Sequence, residues 1–220
     1  MTTEEYAPGR HADLYGDPAD PVALVWHGLQ ADSRAAVRPL AERIAGHGVH
    51  VVAADWNARA ADRGRGDLLG SAEFARQRGG GALVVVGWSM GGAAAAALTF
   101  RASELGVPVR HTVCLAGAFT APDPFTGAGL DVPDGPATPF LLLHGTADDV
   151  VPPSVSTDFA ASLRAAGWDV TVGLLDTDHG AIAGAVYDAA ADRYDPAEDA
   201  ASLATAATVA ERIAQAVLGA

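Results

Sequence analysis

The sequence predicts an α/β fold, a doubly wound and mainly parallel sheet with helices on both faces. Three observations predict it. Short apolar runs alternate with amphipathic stretches along most of the chain. These runs are apolar throughout rather than at every second position, as expected when helices cover both faces of a strand. Strand–helix alternation also implies right-handed crossovers between parallel strands.

The 220 residues are half hydrophobic and 19% charged. That suffices for one domain with a sizeable core, expected to span residues 1–220. PVALVWHG (21–28) reads as a buried strand. SRAAVRPLAERIAGHG (33–48) reads as a helix, with Ser33 as its N-cap and Gly46 or Gly48 near its end. VHVVAADW (49–56) and ALVVVG (82–87) are strands, and Met90 to about Leu105 is a helix. HTVCLAGA (111–118) and PFLLLHG (139–145) are strands. Residues 154–166 form a helix, DVTVGLLD (169–176) a strand, and 200–218 a closing helix.

The longest apolar runs, near 82–88, 91–98 and 139–143, are well short of the roughly 18 to 20 residues of a membrane span. MTTEEYAPGRHADLYGD carries no basic segment followed by an apolar one. A cytoplasmic protein with no membrane association is expected. The net charge is −13, and all fourteen basic residues are arginine. That balance disfavours nucleic acid and anionic membranes, which need a basic patch. The single Cys114, inside HTVCLAGA, forms no intrachain disulfide and is expected to be buried and unreactive. The histidines lack metal-ligand spacing, and no cofactor or metal is expected.

In such sheets ligands gather at the C-terminal ends of the strands. After the strand at 82–87 comes Gly87-Trp88-Ser89-Met90-Gly91. G-x-S-x-G is weak alone, but a strand, tight turn and helix is the context it demands. Side chains two positions before and after the serine would clash in that turn, and glycines remove the clash. Gly92 lets the helix pack close. Taken alone, Ser89 has a second, lesser reading as a helix N-cap with glycines for packing. A nucleophilic serine needs a base, and the base an acid to hold its tautomer. After 139–145 comes Thr146-Ala147-Asp148-Asp149, and after 169–176 comes Thr177-Asp178-His179-Gly180. The order Ser89, Asp148, His179 suits this fold, and His179 is the only histidine after Asp148. Asp148 is the preferred acid, with Asp149, Asp176 and Asp178 as alternatives. The N–H groups of Met90 and Leu29 are candidate oxyanion donors. His27 is expected to brace the Gly28-Leu29-Gln30 loop, and His144 to be structural.

These residues resemble the α/β-hydrolase superfamily, through HGL (27–29), GWSMGG (87–92), HGTADDVVP (144–152) and DHG (178–180). The resemblance runs from about residue 13 to 218. Within the superfamily the chain is similar to small esterases of the dienelactone-hydrolase-like or carboxylesterase type. Its nucleophile is serine where dienelactone hydrolases use cysteine, so their reaction does not carry over. One glycine after His27 resembles the shorter oxyanion loop rather than the HGGG form. The resemblance implies a serine carboxylic-ester hydrolase acting through an acyl-enzyme on short-chain or accessible small-molecule esters, as a monomer or homodimer. A thioesterase acting on carrier- or CoA-bound acyl groups is the alternative. A catalytically silent binding protein is a third reading, opposed by the intact triad.

The connection 120–137, TAPDPFTGAGLDVPDGPA, is too short for a helical cap, so a minimal cap and an open site are expected. Trp88, Gln30 and Phe119 are candidate substrate-binding residues. Phe119 and Phe125 fit a rim or a packing role, and Trp26, Trp56 and Trp88 fit core packing. Arg59, Arg63 and Arg65 lie in a loop that is either solvated or anion-binding. Residues 181–199, with Tyr187 and Tyr194, are read as adding a helix that rims the site.

Overall fold

The computed structural model describes residues 1–79, 81–135 and 138–219. Its strands are β1 (Thr2–Ala7), β2 (Arg10–Tyr15), β3 (Val22–Trp26), β4 (His50–Ala54), β5 (Leu83–Trp88), β6 (Val109–Leu115), β7 (Phe140–Gly145) and β8 (Val170–Leu175). They form one sheet in the order β1-β2-β4-β3-β5-β6-β7-β8. From β4 to β8 all neighbours are parallel, while β1 and β2 join antiparallel at one edge. The helices are α1 (Arg38–Ala45), α2 (Arg65–Gly79), α3 (Met90–Phe100), α4 (Ala102–Leu105), α5 (Pro153–Ala165) and α6 (Ala200–Leu218).

The apolar strands follow from two covered faces. Leu24, Val52 and Val85 pack into one layer with Leu68 of α2, Leu98 of α3 and Leu163 of α5. Their neighbours Val25, Val51 and Val84 pack into the other with Leu40 of α1 and Ile213 of α6. Every residue of β3, β4 and β5 is buried. Cys114 is buried on β6, and burial pushes its thiol well above the ordinary range.

β3 lies between β4 and β5, with Trp26 opposite Ala54 on one side and Gly87 on the other. The chain winds from β3 to β4 in one direction and resumes at β5 in the other. That reversal opens a crevice beyond the carboxyl ends of β3 and β5.

Several expectations are corrected. The helix expected over 33–48 is a 3-10 turn at Arg34–Val37 followed by α1. Pro39 lacks an N–H and fits only the first turn of a new helix, which breaks the run. Ser33 makes no side-chain cap bond. The helix expected over 90–105 divides at Arg101 into α3 and α4, and Gly106 ends it at φ +65°. β1, β2 and α2 are additional to the sequence reading. In place of a rim helix, residues 181–199 form a 3-10 turn at Ala181–Ala183 and an antiparallel hairpin, β9 (Ala185–Asp188) and β10 (Arg193–Pro196). The Asp188 carboxylate accepts the Ala190 and Ala191 N–H groups and shapes the turn.

Between β6 and β7 the described residues form no helix or strand. Residues 136 and 137 of the expected cap segment lie outside the described residues. Asp123 is fully buried there, paired with Arg101 at 2.6 Å and accepting the Phe125 N–H at 2.8 Å. Among the described residues no helix is long and apolar enough to cross a membrane.

Candidate active site

β5 delivers Ser89 into the crevice on a strained turn. Its φ of 56° and ψ of −118° lie where a non-glycine residue is held only by its surroundings. Glycines make the turn. A Cβ on Gly87 would sit 2.0 Å from the Gly91 carbonyl oxygen, and one on Gly91 2.5 Å from the Trp26 and His27 carbonyl oxygens. A Cβ on Gly92 would meet the Gly117 Cα at 3.0 Å. Ser89 donates its N–H to the Leu115 carbonyl at 2.8 Å and makes no side-chain cap bond. Its hydroxyl is therefore not spent on capping α3.

The loop after β7 supplies Asp148 and the loop after β8 supplies His179. Both are buried. His179 donates from Nδ1 to Asp148 Oδ2 at 2.7 Å. Oδ1 of the same carboxylate accepts the Val150 and Val151 N–H groups at 2.9 and 2.8 Å. Asp149 and Asp178 are exposed, and Asp178 accepts the Gly180 and Ala181 N–H groups, which shapes the His179 loop. Of the four carboxylates considered, Asp148 is the one hydrogen-bonded to His179.

His144 forms a second support for this carboxylate. Its Nε2 lies 2.8 Å from the Val151 carbonyl and 3.2 Å from Asp148 Oδ2. Both are acceptors, so Nε2 carries the hydrogen. Nδ1 then accepts from the Ser156 hydroxyl at 2.6 Å. Burial alone would push the Asp148 carboxyl up. The hydrogen bonds from His144, His179 and Val151 outweigh it and hold the group well below the usual carboxylate range.

The loop after β3 lies against the serine, and a Cβ on Gly28 would come 3.4 Å from that of Ser89. His27 is fully buried and braces the loop. Its Nε2 accepts the Ser33 and Trp56 N–H groups, each at 3.2 Å, and its Nδ1 donates to the Gly28 carbonyl at 3.0 Å. Burial lowers its pKa from 6.5 to about 4. Below it, Asp55 accepts the Arg34 N–H at 3.0 Å and pairs with the Arg34 guanidinium.

Leu29, Gln30, Trp88, Ser89 and His179 line one cavity of about 340 Å³. Met90 opens α3, so its N–H has no acceptor one turn back in the helix, while its side chain packs on the core. Gln30 does more than line the wall, because its Oε1 accepts the Tyr194 N–H at 2.8 Å and ties the loop after β3 to β10. Trp88 is nearly buried and donates from Nε1 to the His179 carbonyl at 2.8 Å. Phe119 lies outside this cavity. It stacks on Phe159 with ring centroids 3.8 Å apart, in a groove beside α5, and Phe125 is buried in the same core layer. Arg59 reaches the cavity, whereas Arg63 and Arg65 do not line it. Tyr187 and Tyr194 line the cavity from the 181–199 segment, as expected of a rim, whereas sequence reasoning missed the hairpin form of that wall, its Arg193 and the Gln30 tether. Among the described residues no group of three or more His, Cys, Asp or Glu is arranged to hold a metal ion.

A family model described as serine hydrolase (FSH1) matches residues 68–179, the stretch from α2 through His179. Among solved structures, the chain is similar to a thermophilic esterase from the planctomycete Thermogutta terrifontis. The native form has a TM-score of 0.73 at 17% identity, over 98% of this chain and 92% of that chain. The propionate-bound form gives 0.72 at 17% identity, over 99% and 94%. The same esterase phosphorylated by paraoxon gives 0.71 at 18% identity, over 98% and 94%. At these identities the likeness establishes the α/β-hydrolase fold. No curated protein matches the chain in sequence.

Proposed function

The chain belongs to the serine hydrolase (FSH1) family, and from that premise we propose that it hydrolyses carboxylic esters through an acyl-enzyme on Ser89. The observation that carries this reading is the strained Ser89 sharing a cavity with His179, whose Nδ1 is held by Asp148 at 2.7 Å. The Nδ1–H bond leaves Nε2 as the base. Ser89 Oγ attacks the ester carbonyl as Nε2 takes its proton. The Leu29 and Met90 N–H groups receive the oxyanion. The tetrahedral intermediate collapses, and the imidazolium returns the proton to the departing alkoxide. Water then repeats the sequence on the acyl-enzyme and frees the acid.

The neighbouring esterase is known with propionate bound and phosphorylated by paraoxon, which supports ester chemistry on this scaffold. The same reading takes a small-molecule ester as substrate and residues 1–220 as one catalytic domain. It places that domain in the cytoplasm, as a monomer or homodimer. A fluorophosphonate probe, followed by peptide mapping, is expected to label Ser89. Ser89→Ala is expected to lower p-nitrophenyl acetate hydrolysis by at least about a thousandfold. A probe adduct on another residue, or an active Ser89→Ala protein, overturns the reading.

A further inference from the structure

Two cavities meet at His179. The smaller, of about 340 Å³, holds Ser89 with Gly28, Leu29 and Gln30. The larger, of about 610 Å³, is walled by Asp149, Asp178, Ala185, Val186 and Ser202. Val150, His179, Tyr187 and Tyr194 line both. We infer that the larger cavity is the leaving-group subsite, and that it takes an uncharged alcohol with a bulky apolar body. This rests on the reading of Ser89, His179 and Asp148 as the triad.

The assignment follows from where the proton must go. The acyl carbon bonds to Ser89 while its oxygen points at the oxyanion donors, so the acyl side occupies the smaller cavity. His179 Nε2 hands its proton to the leaving oxygen, so the alcohol departs on the imidazole side. The larger cavity contains His179 but neither Ser89 nor Leu29, which places it on that side.

Its walls define the chemistry. Val150 is 56% exposed, Val186 45% and Tyr187 49%. Large apolar side chains left open together around one mouth mark a surface that an apolar group covers. Two of them stand on the hairpin and one beside Asp149, so separate loops converge on the same patch. Tyr194 adds an aromatic wall, with its ring 5.2 Å from that of Tyr187.

Charge excludes a class of substrate. Among the described residues the larger cavity is lined by the Asp149 and Asp178 carboxylates and by no arginine, while Arg59 and Arg193, with one carboxylate, Asp192, line the smaller one. The field shows at Tyr194, whose hydroxyl is pushed up to about 12 by burial first and then by Asp148, Asp178 and Asp149. An anionic leaving group, such as the phosphate-bearing thiol of coenzyme A, would sit against like charge. The inference therefore separates ester from CoA-thioester hydrolysis.

Two acetyl esters and an acetyl thioester test it, because they share one acyl-enzyme and differ only in the alcohol or thiol that leaves. kcat/KM is measured for ethyl acetate, 2-naphthyl acetate and acetyl-CoA in wild type, Val186→Asp and Asp149→Arg. Both replaced side chains are exposed, and fluorophosphonate labelling of Ser89 checks the triad in each protein. Val186→Asp is expected to lower kcat/KM for 2-naphthyl acetate about tenfold and to leave ethyl acetate within about twofold. Asp149→Arg is expected to raise kcat/KM for acetyl-CoA about tenfold, from a wild-type value far below that for 2-naphthyl acetate. Equal effects of Val186→Asp on both esters, or no effect on either, overturn the subsite. So does a wild type that prefers acetyl-CoA. A wild type unlabelled at Ser89 and inactive on every ester instead removes the triad reading beneath it.

Discussion

Asp148 receives four N–H donors, from His144, Val150, Val151 and His179. Three of them fix the carboxylate in place, so that the fourth, His179, inherits a defined orientation. His144 also draws charge from the oxygen that His179 uses. In His144→Phe the carboxylate keeps more of its charge for the imidazolium. The acid limb of the kcat/KM–pH profile should then move up by about half to one pH unit. His144→Gln retains an N–H donor and should keep the limb in place, an outcome that packing alone would not produce. His144→Phe should also lose about 1 to 3 kcal/mol for each partner it strands, the Ser156 hydroxyl and the Val151 carbonyl. Glycines divide by the same reasoning. Gly87→Ala places a methyl 2.0 Å from a backbone oxygen, whereas Gly129→Ala meets nothing within 4 Å. The first should cost about 3 kcal/mol or more and the second should be close to neutral, as thermal unfolding will show.

The hairpin is the element that turns a serine at a strand end into a walled site. It is tethered across 164 residues of sequence by the Gln30–Tyr194 hydrogen bond and braced by the Trp88 indole, edge-on to Tyr194 at 5.0 Å. Gln30→Ala removes the tether at a net cost of about 1 kcal/mol. It should raise KM several-fold and speed amide exchange over 185–196, with little change in melting temperature. Loss of kcat alone would place Gln30 on the reacting atoms instead. This element also marks where the sequence stops being legible. The central strands read plainly because helices cover both faces and leave unbroken apolar runs such as Val84–Val86. The triad candidates read plainly because each follows such a run. β1 is an exposed edge strand, TTEEYA, with no buried face to impose a pattern. α2 presents mainly Leu68, Ala72 and Ala75 to the sheet, too little apolar surface to stand out beside its glycines. β9 and β10 have four residues each, below the length at which alternation is distinct. Phe119 shows the limit for single residues. An aromatic in a loop has the same sequence signature whether it rims a pocket or stacks on Phe159.

Across the whole molecule, acidity sets two effects against each other. The net charge of −13 at neutral pH makes the folded state repel itself, and protonating carboxylates relieves that strain. The buried histidines act in the opposite direction and at higher pH. His27 has a pKa of about 4 when folded and 6.5 when unfolded. Between those values the unfolded chain binds a proton that the folded chain refuses. Its contribution is therefore intact above 6.5, is lost as pH falls towards 4, and amounts to about 3 kcal/mol at the low end. Burial lowers His50 and His111 too, in the same sense. Protonated His27 could no longer accept the Ser33 and Trp56 N–H groups that hold the loop after β3. Wild type should lose urea stability between pH 6.5 and 4, before the carboxylates titrate fully. His27→Gln keeps an acceptor that stays neutral, and its stability should fall less over that window. High salt screens the self-repulsion but leaves the cost of charging a buried imidazole. The difference in slope between the two proteins should therefore persist in high salt. Equal slopes would mean that acid acts through the surface charge and not through the loop beneath Ser89.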